Sequence, residues 1–167
     1  ITIIYVTHDQ YEAMTFADEV LVMSYGRPVQ RGTPEELFER PNTRYVGNFI
    51  GSPAMNFLNA EIVGGGVTLA GQRLVMSGSA GRLPDGPVEI GIRPEYVQVS
   101  ESAGPNVITV DNLAVSDMGS TKVLTCKVGD EIIRAKIGRQ QPVPKLGPTK
   151  LLLPPDKVLA YRDGHLV

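Results

Sequence analysis

The residue best suited to chemistry by type and position is His8, which follows the run Ile1-Thr2-Ile3-Ile4-Tyr5-Val6-Thr7 and directly precedes Asp9. An unbroken β-branched and aromatic run reads as a strand buried on both faces, as in parallel sheets covered by helices. Open parallel sheets place ligands at the carboxyl ends of their strands, which is where His8 would stand. A neutral imidazole there can donate a hydrogen bond to a phosphate oxygen or to an attacking water, and the start of a following helix adds partial positive charge. The plainer alternative, a loop histidine satisfied by backbone groups, stands beside it on local chemistry alone.

The other polar groups have structural explanations. Asp9 and Glu12 fit a helix cap. All six lysines follow Thr121, and Arg134, Lys136, Arg139, Lys145 and Lys150 read as a solvated sheet face without the aromatic interleaving of a single-strand nucleic-acid groove. Cys126 alternates with Leu124 and Val128 and reads as a small core residue; alone, it makes neither an intramolecular disulfide nor a thiolate zinc site. His165 has no evident partner. The 167 residues contain no Gly-x-x-x-x-Gly-Lys-Ser/Thr loop and no hydrophobic strand ending in Asp-Glu, so nothing here cradles β- and γ-phosphates or holds magnesium.

One parallel strand is not a sheet, so the neighbours of Ile1–Val6 are expected from outside these residues, with the opening run as the cut edge of a larger α/β domain. A secretory signal is the rival reading, but there is no basic leading region and polar residues begin at Thr7. Asp-x-x-Glu at Asp9–Glu12 predicts a capped helix carrying Ala13, Phe16, Ala17 and Val20 on one face, the second half of a β-α unit. Val20–Ser24 predicts a strand, the turn Tyr25-Gly26-Arg27-Pro28 follows, and a second short strand runs through Val29 and Gln30. Thr33-Pro34-Glu35-Glu36 puts an N-cap, a proline at the first helical position and a reciprocating acid in register, predicting a helix to about Arg40. Asn42–Ile50 predicts another, with Tyr45 and Phe49 one turn apart and Gly51 at its end.

Beyond Gly51-Ser52-Pro53-Ala54 the chain turns into short alternating runs, which predict an all-β part. Strands are expected at Phe57–Val63, Val67–Leu69, Arg73–Met76, Val88–Arg93, Tyr96–Ser100, Val107–Val115, Lys122–Val128, Glu131–Ile137, Lys150–Leu153 and Val158–Tyr161. The hairpin around Gly129-Asp130 shows its faces: Leu124, Cys126, Val128, Ile133, Ala135 and Ile137 on the dry side, and Val123, Thr125, Lys127, Arg134 and Lys136 on the wet side. A barrel or sandwich fits that pattern. Eighteen Gly and thirteen Pro agree with many short elements, while 16 basic against 18 acidic residues leave no electrostatic footprint for nucleic acid. No apolar run approaches the roughly 20 residues of a spanning helix.

The run Val6-Thr7-His8-Asp9-Gln10-Tyr11-Glu12-Ala13-Met14, followed by Ala17-Asp18, resembles the histidine-switch segment of ABC-transporter ATPase subunits. Gly32-Thr33-Pro34-Glu35-Glu36-Leu37-Phe38, Gly51-Ser52-Pro53-Ala54-Met55-Asn56-Phe57-Leu58 and Gly91-Ile92-Arg93-Pro94-Glu95 resemble the maltose, multiple-sugar and glycerol-phosphate importer branch. The resemblance implies a mixed α/β remnant of a nucleotide-binding domain at 1–52, then an all-β OB-like regulatory barrel, the TOBE region, at 53–167. It implies that His8 contacts the γ-phosphate and the attacking water in the complete subunit, beside a carboxylate from elsewhere. ATP and magnesium belong to that complete subunit and are not expected to bind these residues tightly by themselves. The implied partners are a second ATPase subunit, membrane subunits of the transporter and a regulatory protein, with no nucleic acid, at the cytoplasmic face of the cell membrane. On the residues alone a second reading stays open: a stand-alone OB-like module that binds a small oxyanion or other ligand.

Overall fold

A computed structural model describes residues 1–77 and 82–167. Residues 13–50 pack around a small apolar cluster of Val20, Val22, Leu37, Val46 and Ile50. Helix α1 (Gln10–Phe16) starts where Asp9, in extended conformation, accepts from the amides of Tyr11 and Glu12. Strands β1 (Val20–Ser24) and β2 (Arg27–Gly32) pair antiparallel across a two-residue turn. Tyr25 and Gly26 both hold positive φ there, as primed hairpin turns require. Helix α2 (Pro34–Glu39) has the expected capping box between Thr33 and Glu36 with Pro34 in its first turn, and α3 (Arg44–Phe49) is capped by Thr43. Tyr45 and Phe49 stack, with ring centroids 6.2 Å apart, and Gly51 takes φ +103° just beyond the helix.

Two expectations for this part are corrected. Ile1–Val6 forms no strand, and Ile1, Ile3, Ile4, Tyr5 and Val6 are exposed. A strand exists only through hydrogen-bonded neighbours, and no described residue pairs with this run. Helix α1 stops at Phe16, because Ala17 turns extended and Val20 joins β1 opposite Gly32. Its inward side is therefore Ala13, Met14 and Ala17, while Phe16 is 83% exposed.

The second part holds two antiparallel sheets. One has the order β10-β9-β8-β11-β7, from β7 (Gln98–Ser100), β8 (Val107–Asp117), β9 (Thr121–Val128), β10 (Glu131–Gly138) and β11 (Gly147–Leu152). The other has the order β13-β12-β6-β3-β4-β5. Its strands are β3 (Asn56–Val63), β4 (Gly66–Leu69), β5 (Gln72–Leu74), β6 (Gly86–Ile92), β12 (Leu159–Arg162) and β13 (His165–Leu166). All ten expected strands are present with ends shifted by a few residues, and β13 is an addition. One core fills the space between the sheets, including Leu58, Ile90, Ile108, Leu124, Ile133 and Leu151.

Strands β9 and β10 pair Cys126 with Ile133 and Leu124 with Ala135, so side chains two residues apart share the dry face. The two sheets meet at Asn56, which accepts from the Arg134 amide and donates to the Arg134 carbonyl, both at 2.8 Å. An asparagine carboxamide thus extends the ladder from β3 to β10.

Cys126 is fully buried, and burial first, then the charge of Asp111, pushes its thiol up to about 11. Two units above the ordinary value leave roughly a hundredfold less thiolate near pH 8. Iodoacetamide is therefore expected to label native chain at least that much more slowly than urea-unfolded chain, as read by mass spectrometry. Equal rates would show that the β9 face is not sealed.

Candidate functional site

His8 stands in a short bend ahead of α1, exposed to solvent, and its ring makes no hydrogen bond among the described residues. The residues around it close on one another. Thr7 Oγ1 donates to Glu12 Oε2 at 2.7 Å, Tyr5 OH donates to the same oxygen at 3.2 Å, and the Asp9 amide donates to Thr7 Oγ1 at 3.0 Å. The Asp9 carboxylate accepts from the amides of Tyr11 and Glu12 at 2.8 and 3.3 Å. Asp9 is the cap its type suggests, but Glu12 does not complete a capping box. It turns to Thr7 and Tyr5 instead, and its charge raises the Tyr5 hydroxyl. The knot fixes the backbone on both sides of His8 and leaves the imidazole free to meet a group from outside.

A second constellation, centred on the Arg93 of the Gly91–Glu95 motif, joins this part to the β-sheets. Arg93 follows β6 and is 2% exposed. Its Nε donates to the Phe38 carbonyl at 3.0 Å, and its Nη1 donates to the Gly47 carbonyl at 3.0 Å and to the Ile50 carbonyl. These carbonyls lie in the closing turns of α2 and α3, where intrahelical partners run out and a cation is favoured. The guanidinium also lies 4.4 Å from the centre of the Phe38 ring. Burial lowers the affinity of Arg93 for its proton, and the charges of Glu95 and Glu39 among others oppose that. A guanidinium stays cationic regardless.

Beside it, Glu39 accepts from Tyr96 OH and from Lys157 Nζ, the latter at 3.0 Å, and the Lys157 ammonium sits 4.3 Å from the centre of the Tyr96 ring. Close backbone approaches complete the seam. Gly47 on α3 packs so tightly that a Cβ there would stand 2.6 Å from the Phe57 ring. Tyr161 OH donates to the Pro41 carbonyl at 2.7 Å. A cavity of about 210 Å³ opens beside this joint, bordered by Gln10, Met14, Phe38, Gly51, Glu95 and Lys136.

Of the basic residues expected on a wet face, Lys136 donates to Glu95 at 3.2 Å and to the Ser52 carbonyl at 3.0 Å, and Arg139 donates to the Gly119 carbonyl at 3.1 Å. Lys136 is thus part of the seam. Among the described residues the His165 ring meets only the Asp163 carbonyl, at 2.9 Å.

The described residues are mostly β, with two antiparallel sheets around one core and a helix-and-hairpin segment against them. Residues 51–97 match the MalK OB fold domain. Over 125 residues the chain is 46% identical to the sn-glycerol-3-phosphate import ATP-binding protein UgpC of Ruegeria pomeroyi, covering 74% of this chain and 34% of that protein. It is 37% identical over 158 residues to the protein of the same name from Jannaschia sp., covering 94% and 44%, and 39% identical over 176 residues to that of Salmonella typhi, covering 98% and 46%. The chain belongs to this family of import ATP-binding proteins, and it spans less than half the length of these relatives. Among solved structures, a molybdate-bound form of the cytoplasmic molybdate-binding protein ModG covers 64% of this chain and 93% of its own at TM-score 0.47 and 13% identity, a likeness too distant for functional inference.

Burial alone would raise Glu39. The bonds from Tyr96 and Lys157, with the charges of Lys157 and Arg93, outweigh it and hold the carboxyl below its ordinary value near 4.5. A depressed folded-state pKa contributes stability that is present above the unfolded value and lost as pH falls through the folded one. Glu39→Gln is therefore expected to lower the Tm at pH 7, with the gap closing below about pH 4. A gap that stays constant down to pH 3 would contradict the ionic role of Glu39.

Proposed function

We propose that this chain is the carboxy-terminal part of the ATP-binding subunit of an importer for sugars or related solutes. In this reading residues 1–52 close its nucleotide-binding domain, and residues 53–167 form a regulatory barrel that also helps hold two subunits together. The observation that carries it is the similarity to import ATP-binding proteins along 94–98% of the chain at 37–39% identity. His8, exposed on a braced backbone and uncommitted to any internal bond, supports its assignment as the switch residue that contacts the γ-phosphate and the attacking water. The transporter's membrane subunits and a second copy of the subunit are the partners, at the cytoplasmic face of the membrane. A regulatory protein acting on the barrel fits the same picture.

The residues of this chain do not by themselves fit ATP and magnesium. The sequence lacks a phosphate-binding loop, and among the described residues no group of three or more His, Cys, Asp or Glu side chains is placed to hold a metal ion. Both would be held by the remainder of the complete subunit, with His8 as this chain's contribution.

The test is ATP turnover. In the complete subunit His8→Ala is expected to lower kcat by about a hundredfold or more, with nucleotide binding retained, since one positioned hydrogen-bonding group contributes on the order of 10²–10⁴. The isolated 167 residues are expected to show no magnesium-dependent turnover. Turnover by those residues, or full activity in the His8→Ala subunit, would overturn the proposal.

A further inference from the structure

Among the described residues, a single hydrogen bond ties residues 1–17 to the rest of the chain: the Gly51 amide donates to Gln10 Oε1 at 2.6 Å. The other polar contacts of this stretch, those of Tyr5, Thr7, Asp9, Tyr11 and Glu12, close within it. Helix α1 buries no side chain completely and only leans on the small cluster through Ala13, Met14 and Ala17. The place of His8 relative to the protein therefore rests on one polar tie, two residues away, and a modest apolar contact.

That tie ends on a peptide group held from its other side. The Gly51 N–H and the Ile50 C=O belong to one planar unit. Gln10 accepts from the N–H, while Arg93, reaching from the end of β6, donates to the C=O. The hydrogen bonds run in series, guanidinium to peptide to carboxamide, and each polarises the next. The guanidinium cannot shift freely, because Phe38 lies beneath it, the Phe38 and Gly47 carbonyls take two more of its bonds, and Gly51 leaves no room for even a Cβ, which would stand 2.9 Å from Nη1. A change in the seating of the barrel moves Arg93, and moving Arg93 turns the 50–51 peptide plane. The Gln10 carboxamide must follow or let go, and the adjoining cavity gives it room to do so.

We propose that Gln10 is a positioning residue for His8, and that the Ile50–Gly51 peptide transmits the seat of the β-barrel to it through Arg93. The proposal rests on the functional reading of His8 given above. It adds the route by which events on the barrel reach that residue.

The experiment is amide hydrogen exchange and side-chain NMR on the 167-residue chain. Gln10→Ala is expected to speed exchange of the Ala13 amide, which closes the first turn of α1 on the Asp9 carbonyl, by about fivefold, the effect of roughly one hydrogen bond. Gln10→Glu keeps an acceptor for Gly51 and is expected to restore the parent rate. Arg93→Lys, which removes the forked grip, is expected to speed the same amide to a similar degree although it lies on the barrel. The double variant is expected to add nothing beyond either single change, the mark of one shared path. The Arg93 guanidinium resonances should shift in Gln10→Ala and return in Gln10→Glu, a readout that stands if Arg93→Lys fails to fold. Unchanged exchange in Gln10→Ala, additive effects in the double variant, or guanidinium signals indifferent to Gln10 would each overturn the proposal. No nucleotide enters these measurements. A fully active His8→Ala subunit would thus remove the role of His8 and leave the link standing, whereas the outcomes above would break the link and leave that role intact.

Discussion

The structure depends on where Arg93 puts its charge. A buried guanidinium is costly unless its donors are met, and here Nε and Nη1 meet carbonyls that the closing turns of α2 and α3 leave without helical partners, while Nη2 is buried without a hydrogen-bond partner among the described residues. The two short helices are too brief to be stable by themselves, and their small cluster of five buried side chains is a slender core. Docked on Arg93, covered by Phe57 and bonded by Tyr161, they become an extension of the barrel.

That seam also explains the use of glycine and aromatic residues around it. Gly47 and Gly91 permit approaches that a methyl group would block: a Cβ on Gly91 would come within 2.8 Å of Met55 and of the Tyr161 ring. Phe57 and Tyr161 meet edge to face with centroids 5.0 Å apart, and Phe38 and Tyr96 do so at 6.4 Å. These four aromatic side chains lie at the joint, while the space between the sheets is filled mainly by aliphatic residues. The arrangement places an exposed histidine just ahead of a small and lightly anchored helix beside the two sheets. Such a helix can be held or released at little energetic cost.

Much of this was legible in the sequence, and for identifiable reasons. Strand alternation such as Ile133, Ala135 and Ile137 against Arg134 and Lys136 reports a half-wet sheet directly, and Thr33-Pro34-Glu36 reports a helix start through local bonds alone. His8 stood out because of its place after an apolar run, and the ordered motifs pointed to the importer family. What was hidden depends on distant partners. Ile1–Val6 has the composition of a strand but pairs with no neighbour among the described residues. Val20 fits a helical stripe, yet pairing with Gly32 draws it into β1. Arg93 and Gln10 stand in recognisable motifs, but what they touch does not show there, since the acceptors of Arg93 are brought in from 43 to 55 positions away.

The central claim is that Arg93 makes the helical segment and the barrel one cooperative body. Native-state hydrogen exchange in low denaturant tests it most directly, by comparing the amides of Leu37 and Ile50 with those of Leu124 and Ile133. The account predicts a common opening free energy and denaturant slope for both groups, and their separation in Arg93→Ala, with the helical amides opening first. Helical amides that open well before the barrel in the parent chain would contradict it.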